Sequence, residues 1–94
     1  MRPDPQVRFA SSTGAWFERH SWLSEQAIIG VILSYYLEWK TLTNDPSEPD
    51  GEHKVVKMRK IWRNALQEVS VHVHRTQFLG RPILNVYRLH SEKP

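Results

Sequence analysis

Six polar side chains between residues 57 and 67, namely Lys57, Arg59, Lys60, Arg63, Asn64 and Gln67, are of the types that read nucleic acid. Arginine and lysine pair with phosphate or with the O6/N7 edge of guanine, and asparagine and glutamine bond the N6/N7 edge of adenine. Wound at 100° per residue, residues 54–69 place Val55, Met58, Ile61, Trp62, Ala65, Leu66 and Val69 on one side. The six polar residues then fill the other side, with Val56 as an apolar intruder. That spacing predicts a basic amphipathic helix able to lie in a major groove. Only Glu68 interrupts the cations of residues 54–90 with a negative charge. A face built for solubility alone ordinarily mixes both signs.

A second set of candidates follows on a different backbone. "EVSVHVHRTQF" and "ILNVYRLH" alternate with period two around the connection "LGRP", which predicts a β-hairpin with a glycine in its turn. With Val69, Val71 and Val73 facing the core beside Ile83, Tyr87 and Leu89, the residues His72, His74, Arg88 and His90 share the other face. Phe78 and Asn85 then fall out of phase, so a bulge is expected near the turn. Arg81 sits at the tip, and Arg75 completes the basic set. Imidazoles gain charge as the pH falls through about 6.5, so His72 and His74 would add to phosphate attraction in mild acid. Two histidines at i, i+2 also point the same way, with His53 or His90 as third donors, but no carboxylate stands at a defined spacing from them. Metal is therefore not expected.

A cationic helix running into a hairpin with an arginine at its tip resembles the last helix and wing of winged-helix proteins over residues 54–90. The resemblance implies a helix in the major groove and a hairpin on the neighbouring sugar and phosphate, hence duplex DNA ahead of RNA.

The elements that must carry these groups belong to one small domain. Residues 7–90 of the 94 are expected to fold together, with 1–6 and 91–94 as tails and an acidic loop over 43–53. "SWLSEQAIIGVILSYYLEWKTL" predicts a helix capped by Ser21 or Ser24 with Glu25 in its first turn. Its polar positions reduce to Gln26, Gly30, Ser34 and Glu38, so the domain or a second copy must cover the rest, and a homodimer through Ile28 to Trp39 is an expectation. Val7 to Ala10 suggests a short strand, and a brief helical stretch carrying Trp16 and Phe17 follows. Trp39 and Trp62 are expected in the core. The fold class is thus α+β, with two main helices and a C-terminal hairpin.

Charge is unevenly placed. Residues 1–53 carry four Lys/Arg against eight Asp/Glu, and residues 54–94 carry nine against two. Such a field suits a polyanion, or an acidic protein for an adaptor or inhibitor that docks through the same face or through its apolar helix. Cysteine is absent, which excludes thiolate chemistry and fits an intracellular setting, cytoplasmic or nuclear. The longest apolar run, Ala27 to Leu33, is too short to cross a membrane. No phosphate-binding glycine loop, nucleophile elbow or metalloprotease motif occurs, so no enzyme activity and no cofactor are expected.

Overall fold

The computed structural model describes residues 4–42 and 53–92, with side chains over 4–37 and 53–91. Strand β1 (Gln6–Phe9) leads into helices α1 (Thr13–Arg19) and α2 (Glu25–Leu42), followed by strands β2 (His53–Trp62), β3 (Ala65–Phe78) and β4 (Arg81–Glu92). The sheet order is β1-β4-β3-β2, with β1 parallel to β4 and the other neighbours antiparallel. The chain is a small α+β domain of two helices and a four-stranded mixed sheet among the described residues.

The expected helix over 54–69 does not form. Residues 53–62 are β2, Arg63 and Asn64 are a turn, and 65–69 begin β3. Trp62 pairs with Ala65 across that turn, and both central residues have positive φ, 50° at Arg63 and 63° at Asn64. This two-residue left-handed pattern matches the right-handed twist of the flanking strands. The hairpin expected over β3 and β4 does form, closed by Leu79 and Gly80 at φ 51° and 77°. Three strands therefore meander where a helix and wing were expected, and the winged-helix arrangement is not what the chain adopts.

Helix α2 was legible from its ends and spacing. Ser24 Oγ accepts the Ala27 amide at 3.2 Å, so Ser24 is the cap. Ile28, Ile32 and Tyr36, at i, i+4 spacing, are buried against the sheet. The opposite flank shows Gly30 and Ser34 to solvent, with Ser34 Oγ donating to the Gly30 carbonyl. The short helix α1 brings Trp16 into the same core and stacks His20 on it, ring centroids 4.0 Å apart. One His20 ring nitrogen lies 2.8 Å from the Trp16 carbonyl and the other 3.1 Å from Ser91 Oγ, tying the helix to the end of β4.

All of this packs on one side of the sheet. Val56, Val69, Val71, Val73, Leu84, Val86 and Leu89 form the buried sheet layer under Trp16, Leu23, Ile28, Ile32 and Tyr36. Each such aliphatic side chain withdrawn from water contributes about 1.5–3 kcal/mol, so this layer fixes the strand register. A one-residue slip would put the valines into solvent. Gln6 pairs with Ile83, and Ser91 and Glu92 belong to β4, so the sheet takes in residues expected in the tails. Of the acidic loop expected over 43–53, His53 opens β2 and the remainder lies outside the described residues. Trp39 has no described side chain, and Trp62 sits at the hairpin end with 36% of its surface exposed instead of in the core.

Candidate nucleic-acid interface

Because strand side chains alternate, fixing Val56, Val69, Val71 and Val73 in the core fixes what the other side of the sheet presents. On β2 these are His53, Val55, Lys57 and Arg59. On β3 they are Glu68, Ser70, His72, His74 and Thr76. On β4 they are Ile83, Asn85, Arg88 and His90, and on β1 Gln6 and Arg8. Read across the strands, Lys57, Ser70 and His90 make one row, and Val55, His72 and Arg88 the next. His53, His74, Asn85 and Arg8 make the third. No described helix covers this face.

The register carries one irregularity. Val73 pairs with Val86 and His72 with Arg88, so Tyr87 is an extra residue on β4. The bulge lies in mid-strand, not near the turn where alternation had placed it. It turns Tyr87 out of the core and beside His72, ring centroids 5.8 Å apart, with 42% of the tyrosine exposed. Leu84 and Val86 take the core places expected for Ile83 and Tyr87. Ile83 lies on the helix-free side, where it floors a shallow concavity of about 400 Å³ lined by Gln6, Arg8, Phe78, Leu79 and Arg81.

The eleven expected site residues are therefore divided. Lys57, Arg59, His72, His74 and Arg88 come together on the helix-free face. Lys60 and Gln67 pair with each other on the helix side, where Lys60 Nζ donates to the Trp22 carbonyl at 2.8 Å. Arg63 and Asn64 occupy the turn at the far end of the hairpin, with the Arg63 guanidinium 5.6 Å from the Trp62 ring centre. Arg75 pairs with Leu84 and shares its helix-side parity. Arg81 follows the second turn, its Nε donating to the Asp4 carbonyl at 3.0 Å. The single basic helix face thus dissolves. With it goes the major-groove geometry that favoured a duplex.

Electrostatics within the helix-free face are uneven. Glu68 accepts from Arg59 Nε at 3.0 Å. Away from that corner the described charges are positive. Burial first, then the positive neighbours Arg88, His90 and His53, hold the His72 imidazole below its usual 6.5. Asn85 is held in place by donating Nδ2 to the His74 carbonyl at 3.1 Å and to Thr76 Oγ1 at 3.2 Å. Among the described residues no group of three histidines and carboxylates is placed to hold a metal ion.

Sequence reasoning had set Arg8 and Tyr87 outside the site, and His53 and His90 only at its margin. Parity on β4 gave His90 its face, but Tyr87 needed the bulge and Arg8 needed the parallel pairing of β1, neither of which local patterning encodes. No family model matches the chain, and no curated protein or solved structure matches it either. No described helix is long and apolar enough to cross a membrane.

Proposed function

We propose that the helix-free face of the sheet binds nucleic acid, and that it takes single strands in preference to the duplex. The observation that supports this is the interleaving on one surface of Arg8, Lys57, Arg59 and Arg88 with four imidazoles and the exposed Tyr87 ring. Cations along a sheet attract phosphates without regard to sequence. An exposed ring beside them gives an unpaired base a surface to stack on, a contribution of about 1–3 kcal/mol per base. Four-stranded sheets elsewhere present aromatic rings to unpaired bases in this manner. A duplex keeps its bases stacked on each other and offers such a face only its backbone.

The test is fluorescence anisotropy with labelled twelve-nucleotide DNA and RNA single strands and a twelve-base-pair duplex, at two salt concentrations. With about three phosphates neutralised, log affinity for a single strand should fall against log salt with a slope of roughly −2. A slope near zero, or a duplex bound more tightly than either single strand, overturns the reading.

A further inference from the structure

We infer that the outer edge of β2 is a strand-addition site for an acidic, extended segment of a partner protein. This rests on the backbone and is independent of the nucleic-acid reading. β2 stands last in the sheet order, with β3 on one side and no described strand on the other. At ten residues it is much the longer of the two edges, since β1 spans four.

The two-residue turn at Arg63 and Asn64 determines which backbone groups face outward. Residues flanking such a turn exchange both hydrogen bonds, so Trp62 bonds Ala65, and the bonded pairs recur every second residue at Lys60, Met58, Val56 and Lys54. The N–H and C=O groups of His53, Val55, Lys57, Arg59 and Ile61 consequently point away from β3. Those five residues are exposed, Val55 at 46% and Ile61 at 72%. A row of outward amides and carbonyls is a template for one more strand.

Charge selects the occupant. β2 carries Lys57 and Arg59 on the helix-free face, Arg59 paired with Glu68 of β3, and Lys54 and Lys60 on the helix side, Lys60 bonded to the Trp22 carbonyl, and β2 itself holds no acid. A second copy is disfavoured by the same charges. Of the two longest two-fold self-pairings, the one centred on Lys57 sets that lysine opposite itself, and the one centred on Met58 sets Lys57 opposite Arg59. Like charges directly across a strand pair repel. A strand bearing glutamate or aspartate at alternate positions with aliphatic residues between them meets complementary charge and the exposed Val55 and Ile61.

The probe is a seven-residue peptide of alternating glutamate and valine, titrated into the 94-residue chain with amide exchange followed by NMR. Exchange at Val55, Lys57 and Arg59 should slow at least 10-fold. The same peptide N-methylated at consecutive central residues, which blocks both of its edges, should bind at least 10-fold more weakly, and a lysine and valine counterpart should not bind. Equal affinity of the N-methylated peptide would reduce the effect to side-chain attraction and overturn the proposal. So would unchanged exchange along β2, or protection of those amides in a peptide-free dimer.

Discussion

Asn64→Ala separates the observed hairpin from the helix that the sequence pattern suggests, because the two structures give it opposite signs. In a helix the change replaces a poor helix former by the best, a gain of about 0.6 kcal/mol. In the hairpin, Asn64 has φ 63°, a conformation asparagine tolerates and alanine resists. Placing an L residue with a plain Cβ there costs about 1 kcal/mol. Asn64 is exposed at the turn, so little packing enters the balance. The stability of a domain of 94 residues then drops by about 1 kcal/mol, a fall in Tm of about 4–8 °C. Thermal unfolding followed by circular dichroism measures this directly. Asn64→Gly serves as the companion, since glycine accepts the same φ, and its Tm should stay close to that of the parent. A rise in Tm for the alanine variant would refute the turn and the β2–β3 register built on it.

Further expectations concern the core, the cap and the central histidine. Val71 is fully buried in the middle strand, so Val71→Ala should cost about 2 kcal/mol in urea unfolding, and a loss below 0.5 kcal/mol would place that residue outside the core. Ser24→Ala removes the acceptor for the Ala27 amide and should cost about 1 kcal/mol, read as a lower urea midpoint, whereas an unchanged midpoint would deny the cap. His72 takes up its proton less readily in the folded chain than its usual 6.5, so the unfolded chain binds more protons in that window. Stability is then lost as the pH falls through 6.5 toward the lowered folded value, and His72→Gln should lose less between pH 7.5 and pH 5 than the parent. Equal losses in the two proteins would contradict the crowding of His72 by Arg88, His90 and His53.

Helix α2 could be read from sequence because its cap, its length and the Ile28, Ile32 and Tyr36 spacing all agree. The β3–β4 hairpin could be read because three valines alternate cleanly and Gly80 supplies an expected turn residue. β2 was misread for three physical reasons. Of its ten residues only Val56 is buried, with Lys54 and Met58 half-buried, so the core leaves little period-two signal on an edge strand. Lys54 and Lys60 occupy helix-side positions, the Lys60 ammonium on the Trp22 carbonyl, so charged residues stand where apolar ones would have marked the period. Its turn is built from arginine and asparagine in left-handed conformations without a glycine, so the usual punctuation is absent. Ile61, Trp62 and Leu66 completed a helical count by chance, and the structure leaves them partly or largely exposed at the hairpin end. The basic residues could be named from the sequence, but which of them share a surface depends on long-range register. Arg8 joins through β1 and Tyr87 through a bulge, and each requires the whole sheet.

The most direct measurement of the central claim is NMR mapping of a twelve-nucleotide single strand titrated into the labelled chain. Shifts concentrated at Lys57, His72, Tyr87, Arg88 and Arg8, with the exposed flank of α2 around Gly30 and Ser34 unmoved, are the predicted result. Shifts centred on that α2 flank, or on the Arg63 turn alone with the sheet face silent, would contradict it.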